Sequence, residues 1–283
     1  MLKHASEREK MEQRRFLVFG AHPDDCDLLF GASAIQLCKA GHVVKFVSAC
    51  NGNCGHQSMD PMKLAIRRYG ETQASAKIAG LLEYEVMGYD DCALEPTLEV
   101  RARVTRIIRE FCPDVVLTHR TCTYHADHRA IGQAVDDAAY LCTVPLYCPE
   151  TPVPENMRPI FAYLYDGFVT PNPFVADAAM PVDPVEDQKN AMLRCHESQF
   201  FEWLPWDRGD KNFDASKLSE EERIAYVREN FMARDIKMAD EARDMLEEMY
   251  GEAGKTVKRA EAYMIVERRN MVARQKFQDL FRI

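Results

Sequence analysis

The chain of 283 residues is 47% hydrophobic, which is enough apolar sequence to bury a substantial core. Its formal net charge of -9 disfavours binding to nucleic acid over a broad surface, because such binding needs clustered Lys and Arg side chains. No stretch of about 20 apolar residues predicts a membrane span, and residues 1–14 lack the apolar segment of a signal peptide. Ten scattered cysteines without a CxxC pair favour reduced thiols. We therefore expect a cytoplasmic protein that acts on a small molecule.

Residues 15–141 alternate between short apolar runs and longer helical patterns, which is typical of a wound parallel sheet with crossover helices. Strands are predicted at residues 16–19, 43–49, 84–87 and 115–118. Helices are predicted at residues 27–40, 62–82 and 98–111. Gly41 ends the first helix and Pro113 follows the third. The predicted fold class is α/β: a Rossmann-like, doubly wound, mainly parallel sheet with helices on both faces.

Beyond residue 142 the alternation weakens into a Pro-rich stretch. The sequence then predicts β-like runs at 161–165 and 174–176, a helix at 183–195, charged helical sequence over 217–250, and a late strand or helix start at 260–266. We expect residues 15–283 to form a single domain in which residues 143–283 surround the site as an excursion of loops, late strands and helices. Residues 1–14 are expected to form a charged N-terminal arm.

A cluster of polar residues follows the first predicted strand. His22, Asp24 and Asp25 lie within the sequence AHPDD, which places an imidazole and two carboxylates on one loop. In an open parallel sheet, ligands bind beyond the carboxyl ends of the strands where the strand order reverses, commonly between the first and fourth strands. The alternative is that this turn only caps the following helix through Asp24 or Asp25.

A second polar cluster follows the fourth predicted strand, where the chain reads HRTCTYHADH and contains His125 and His128. We expect it to lie beside the first cluster, because both follow neighbouring strands. Two histidines and one carboxylate suit a zinc-type ion, and an open coordination position would make the site catalytic and favour hydrolysis. Taken alone, the two histidines are also compatible with an exposed turn.

Three further features leave alternatives open. Cys50, Cys54 and His56 could form a second metal site, although their spacing fits no common zinc module and a buried Cys50 is the simpler interpretation. His196 could reach the site or could be a capping or surface residue. The aromatic segment 200–206 could be a sugar platform, but packing is favoured, and residues 200–250 could mediate homo-oligomer contacts.

The combination of AHPDD with YHADH resembles the PIG-L/LmbE family of zinc-dependent N-acetylglucosaminyl de-N-acetylases. Segments 68–80, 91–94, 189–199 and 260–263 also resemble motifs of this family, so that the similarity spans roughly residues 15–266. This chain departs from the family pattern at two places. The first is expected to affect a contact that supports the metal ligands, and the second the shape of the substrate pocket. Asp27 stands where the family has Glu, and residues 48–56 replace its usual T.G..G loop.

The resemblance implies that His22, Asp25 and His128 bind Zn²⁺, with Fe²⁺ or Mn²⁺ as other metals of the same charge. It implies that Asp24 is the general base and that His125 stabilises the oxyanion or protonates the leaving amine. Substrate contacts are expected from Arg68, Asp91 and His196. The activity implied is hydrolysis of the N-acetyl group of an N-acetylglucosamine-type amino sugar or its conjugate, which releases acetate.

Two other functions are compatible with the sequence. The same ligands would serve a zinc amidase that acts on another N-acyl or sugar-thiol conjugate. A noncatalytic Rossmann-like module that binds a sugar or nucleotide is a more distant alternative, because the first strand-to-helix turn lacks the G-x-G-x-x-G sequence.

Overall fold

Seven strands form one mixed sheet in the computed structural model, which describes residues 12–267 and 272–283. The strands in chain order are β1 Arg15–Gly20, β2 Val43–Cys50, β3 Glu83–Tyr89, β4 Val115–Thr118, β5 Ile160–Leu164, β6 Ala178–Pro181 and β7 Ala260–Ile265. Most of the arm predicted at residues 1–14 lies outside the described residues.

The order of the strands across the sheet is β3-β2-β1-β4-β5-β7-β6. Strands β1 to β5 are parallel, whereas β7 pairs antiparallel with both β5 and β6. The chain moves outward from β1 to β2 and β3 and returns to the other side of β1 as β4, so the strand order reverses between β1 and β4. The predicted doubly wound, mainly parallel fold is confirmed.

Helices cover both faces of this sheet. The α-helices of the described residues are α1 Asp25–Lys39, α2 Pro61–Ala79, α3 Leu98–Phe111, α4 Ala126–Leu141, α5 Glu186–Arg194, α6 Leu204–Asp207, α7 Glu220–Asn230, α8 Ala233–Glu241, α9 Arg243–Tyr250 and α10 Arg274–Asp279. A π-helical segment, Ser198–Trp203, connects α5 to α6. Within residues 12–267 and 272–283, no helix combines the length and apolarity that a membrane crossing requires.

Alternate side chains of β1 enter two separate hydrophobic layers. Phe16 and Val18 belong to the layer that also contains core residues of α1 and α5. Leu17 and Phe19 belong to the layer formed with α3 and α4. Because both faces of the strand are buried, its sequence is continuously apolar instead of alternating with polar residues.

The prediction of a strand at residues 174–176 is wrong. The structure places the edge strand at β6, four residues further along, where Ala178 pairs with Tyr263 of β7. The sequence of β6, AAMP, has low intrinsic β propensity, so its strand conformation depends on this long-range pairing. Phe174 instead packs edge-to-face on Tyr165, with ring centroids 5.3 Å apart.

The charged segment 217–250 contains α7, α8 and α9, and residues 260–266 contain a strand instead of a helix start.

A buried ion network attaches the C-terminal elements to the sheet. Lys189 of α5 is 1% exposed, and its Nζ lies 2.8 Å from both Asp235 Oδ2 of α8 and Glu261 Oε1 of β7. Glu261 also accepts hydrogen bonds from the backbone N–H groups of Ala32 and Ser33 in α1. Burial raises the pKa of Asp235 to about 6, although Lys189 opposes the shift. The two carboxylates therefore depend on the ammonium group of Lys189 for their counter-charge.

We expect Lys189→Met to lower the free energy of unfolding by about 3–5 kcal/mol near pH 7, because it leaves two buried carboxylates without a counter-charge. Loss of the ammonium group raises the pKa of Asp235 further above the value of about 6 that it has beside Lys189, so the penalty is largest at high pH and is relieved as the pH falls and the carboxyl is protonated. Denaturant unfolding at two pH values measures both effects. The control Lys237→Met, at an exposed position of α8, should change stability by less than about 0.5 kcal/mol. Equal stability of the two variants would show that the network is unimportant.

Candidate functional site

The polar loops after β1 and β4 meet where the strand order reverses. His22 Nδ1 lies 3.2 Å from His128 Nε2, although the two residues are 106 positions apart. Asp25 Oδ2 lies 3.6 Å from the first of these nitrogens and 3.5 Å from the second. Three donor atoms thus surround one point, which is the arrangement that a single bound cation requires.

Backbone N–H groups hold the Asp25 carboxylate at this point. Its Oδ2 accepts hydrogen bonds from Ala21 N at 3.0 Å and from His22 N at 2.7 Å. Asp24 occupies the N-cap position of α1 but makes no side-chain capping bond, so the structure does not use AHPDD as a helix cap. Burial alone would raise the pKa of Asp25, but the neighbouring imidazoles, His128 foremost, hold it well below its usual range.

Asp127 orients His22 from the opposite side. Its Oδ2 lies 3.0 Å from His22 Nε2, accepts a hydrogen bond from Cys92 N at 2.7 Å, and is fully buried. An ionised carboxylate only accepts hydrogen bonds, so Nε2 of His22 keeps its proton, and Nδ1, which faces Asp25 and His128, is the nitrogen that can bind a cation once the cation displaces its proton. Burial lowers the pKa of His22, but the bonds to Asp127 and Asp25 outweigh burial and raise it to about 10. The point between the three donor atoms therefore favours positive charge, and the residues present fit a divalent cation.

His128 is neutral and can therefore offer a lone pair. Burial lowers its pKa to about 2 despite the opposing charge of Asp25. His119 stacks on its ring with centroids 4.1 Å apart, and His119 Nε2 lies 3.3 Å from Asp25 Oδ2. Sequence reasoning assigned no role to His119 or Asp127. The signals that could have found them are the position of His119 directly after a strand and of Asp127 between two histidines.

Asp24 lies beside the donor cluster and is held by Arg68. Arg68 Nη2 is 3.2 Å from Asp24 Oδ1, and both residues are buried. Burial raises the pKa of Asp24, and the charge of Arg68 opposes this shift. Gly52 makes room for the arginine, because a Cβ atom at its φ of +81° would lie 2.4 Å from Arg68 Cδ. Gly52 thus leaves the space that Arg68 occupies beside Asp24.

The other two residues predicted to contact substrate also have partners within the protein. His196 is fully buried, and its Nε2 lies 3.2 Å from Asp27 Oδ1. Asp91 accepts hydrogen bonds from Gly52 N at 2.8 Å and from Cys54 N at 3.3 Å. Asp91 thus supports the loop after β2 and His196 pairs with Asp27 of α1, and the contact of Arg68, Asp91 and His196 with substrate stays a prediction.

His125 stands at the N-cap of α4. Its Nδ1 accepts a hydrogen bond from Asp127 N at 3.2 Å, so the ring proton of the neutral form lies on Nε2. Its ring centroid is 4.7 Å from that of His22. Burial and the charge of His22 lower the pKa of His125, which keeps the imidazole neutral.

A cleft of about 480 Å³ opens over this cluster and is lined by His22, Asp24, Asp25 and His128 among others. Its wall includes the aromatic pair Tyr124 and Phe168, whose ring centroids are 6.0 Å apart, and the exposed Arg208 and Arg234. Carboxylates and imidazoles thus share a cleft with exposed aromatic faces, which suits a polar ligand with apolar ring surfaces.

The remaining features have structural explanations. Cys50 is buried, Cys54 is exposed, and His56 Nε2 bonds Glu202 Oε2 at 2.9 Å, so the three residues do not form one cluster. In the aromatic segment 200–206, Phe200 and Phe201 are core residues. Trp203 stacks on Trp206 with centroids 5.5 Å apart. These contacts agree with the packing interpretation of the segment.

Residues 17–139 match the PIG-L family, described as GlcNAc-PI de-N-acetylase. These residues include both polar loops, and the resemblance predicted from the motifs is confirmed. Residues 17–139 are thus similar to the PIG-L de-N-acetylases.

The chain is also 28% identical over 206 residues to diacetylchitobiose deacetylase of Thermococcus kodakarensis, a match that covers 69% of this chain and 74% of the relative. The solved N,N'-diacetylchitobiose deacetylase of Pyrococcus horikoshii has a TM-score of 0.66 at 21% identity and covers 90% of this chain and 84% of that one. GalB of Pseudomonas putida, a 4-carboxy-2-hydroxymuconate hydratase, has a TM-score of 0.67 at 18% identity, with 92% and 99% covered. At these structural identities the likeness shows a shared fold.

We expect Asp127→Asn to weaken binding of a divalent metal by about 10- to 100-fold, because His22 loses the carboxylate that orients it and raises its basicity. Competition with a chromophoric chelator measures the affinity. The matched control is Asp137→Asn on the same helix, where the carboxylate pairs with Arg101 at the surface. Equal affinity of the two variants would contradict the role of Asp127.

Proposed function

We propose that this protein is a zinc-dependent N-deacetylase that hydrolyses the N-acetyl group of an N-acetylglucosamine-type amino sugar or its conjugate. One observation carries the proposal: His22 Nδ1, Asp25 Oδ2 and His128 Nε2 lie within 3.6 Å of one another, beside the buried carboxylate of Asp24. The relationship to diacetylchitobiose deacetylase supports the choice of an acetylated amino sugar.

His22, Asp25 and His128 would hold the metal ion. Two imidazoles and one carboxylate are a ligand set of catalytic zinc sites and leave a position open, and Fe²⁺ or Mn²⁺ could occupy the same donors. When bound, the ion acts as a Lewis acid that polarises the acetyl carbonyl and the attacking water.

Asp24 would accept the proton of that water. Its carboxylate faces the cleft, and Arg68 engages Oδ1, which leaves Oδ2 for the water. Burial raises the pKa of Asp24, which makes this carboxylate a stronger base than an exposed aspartate. Arg68 and His196 serve as positioning residues in this scheme, Arg68 through its pairing with Asp24 and His196 through Asp27.

His125 would donate a hydrogen bond from Nε2 to the oxyanion that forms as water attacks the acetyl carbon. Its Nδ1 is engaged by Asp127 N, so the ring is already oriented with Nε2 free to donate. The C–N bond then breaks, the nitrogen takes up a proton, and acetate and a free amine leave. Asp24, which has taken the proton of the water, is the nearest described acid that can return it to the nitrogen.

An acetate-release screen tests the proposal. The protein, loaded in turn with Zn²⁺, Fe²⁺ and Mn²⁺, is incubated with N-acetylglucosamine, its disaccharides and its glycosides, and with N-acyl amines that lack a sugar. We expect release from at least one sugar, and loss of release after chelation. Release only from non-sugar amines would favour the alternative amidase. Sugar binding without any release would favour a noncatalytic module.

We expect Asp24→Asn to retain metal but to lower kcat by about 10²–10⁴-fold, because only the proton acceptor is removed. Metal content and turnover are measured on the same preparation. Asp90→Asn is the control, because Asp90 is exposed on a neighbouring loop and uses only Oδ1, which the amide keeps. Loss of metal in the Asp24 variant, or a nearly normal rate, would contradict the assignment.

We also expect His128→Ala to lower metal content more than His125→Ala, because only His128 belongs to the donor set. The His125 variant should keep its metal and lose turnover by about 10²–10³-fold, as expected when an oxyanion donor is removed. Elemental analysis and kinetics of both variants decide this point. The reverse order of metal loss would exchange the two roles.

A further inference from the structure

A second set of potential ligands lies next to the first, among residues that the proposed mechanism uses only in part. One donor atom each from Cys92, His125 and Asp127 lies within 4.8 Å of the other two. The thiol of Cys54 makes a side-chain contact with the thiol of Cys92. Two sulfurs, one imidazole nitrogen and one carboxylate oxygen are therefore grouped at the rim of the site.

The backbone fixes these side chains before any ligand is present. Cys92 has a φ of +64°, and its N–H bonds Asp127 Oδ2 at 2.7 Å. Asp127 is 0% exposed, and its second oxygen, Oδ1, is buried without a hydrogen-bond partner. Asp91 anchors the other loop by accepting from Cys54 N at 3.3 Å. A buried carboxylate oxygen with no donor is an unusual state that a bound cation would satisfy.

The local charge also favours a cation. Burial raises the pKa values of the Cys54 and Cys92 thiols, and the carboxylates of Asp91 and Asp127 raise both further. The negative field that disfavours a free thiolate attracts a positive ion, and the ion in turn stabilises the thiolates on binding. Sulfur and nitrogen donors select zinc-like and softer ions over magnesium or calcium.

We propose that Cys54, Cys92, His125 and Asp127 form a second metal site, for a soft divalent cation such as Zn²⁺ or Cd²⁺, distinct from the donor set of His22, Asp25 and His128. Binding releases one proton from each thiol, exchanges the hydrogen bond from Asp127 N to His125 Nδ1 for a bond to the ion, and involves no change of oxidation state. The four ligands match the number that zinc prefers.

Occupation of this site would inhibit hydrolysis, a consequence that rests on the proposed function. The ion would engage His125, the oxyanion donor, and Asp127, which orients His22. Excess zinc should therefore lower turnover, and Cys92→Ser should remove that inhibition without lowering the rate at low zinc, because the thiol takes no part in the reaction.

Cadmium titration tests the site without reference to catalysis. Protein that carries one equivalent of zinc is kept reduced with a phosphine and titrated with Cd²⁺, while the ultraviolet charge-transfer band of cadmium–thiolate bonds is recorded. We expect a band that saturates at one added equivalent in the unmodified protein. Cys92→Ser should weaken the binding by at least about tenfold through loss of a thiolate bond. Cys54→Ser should leave a weaker band from the one remaining thiolate.

Cys112→Ser is the matched control. Cys112 is partly exposed to solvent. It precedes β4 and therefore lies near the amino ends of the parallel strands, whereas the site lies at their carboxyl ends. It should leave the band unchanged. The proposal is overturned if the unmodified protein gives no band, or if Cys92→Ser leaves it intact. It is also overturned if Cys54 and Cys92 are lost from the thiol count without metal uptake, because this indicates a disulfide. Each result holds whether or not any substrate releases acetate.

Discussion

The parallel pairing of β1 with β4 is the constraint on which the site depends. Phe16 lies opposite Val115 and Val18 opposite Leu117, so the two strands end side by side and deliver their loops to the same place. The donor atoms of His22 and His128 are brought within 3.2 Å by this register and by the helices that begin directly after each loop. A sheet with β2 or β3 beside β4 would separate the same motifs.

Buried carboxylates also stabilise the site and the helices that pack around it. Asp127 orients His22, Asp27 supports His196, and Glu261 balances Lys189. Each of these acidic groups is buried, so each is costly unless it is paired. This cost explains why motif residues far from the cleft, such as Lys189 and Glu261, accompany the metal-binding loops: they stabilise the packing of the C-terminal helices against the sheet that presents those loops.

The fold by itself does not determine the reaction. A deacetylase and a hydratase share the architecture of this chain at similar TM-scores, so the inference to amide hydrolysis depends on particular side chains. The relevant group is Asp24, a buried carboxylate that faces the cleft next to three converging donors and is held by Arg68. The proposed second site shows the same dependence on particular side chains, because it involves the thiols of Cys54 and Cys92, which lie outside the AHPDD and YHADH loops.

The sequence by itself determined the strand and helix pattern of residues 15–141 and the two polar loops, because local periodicity and strand ends are encoded by neighbouring residues. It also indicated the PIG-L resemblance. Only the tertiary structure decided that β6 lies at Ala178–Pro181, since four residues of low β propensity become a strand through pairing with β7. It likewise decided that Asp127 supports His22, and that Arg68 and His196 are buried behind Asp24. Such roles depend on contacts between residues far apart in the chain, and these contacts cannot be predicted from composition and spacing.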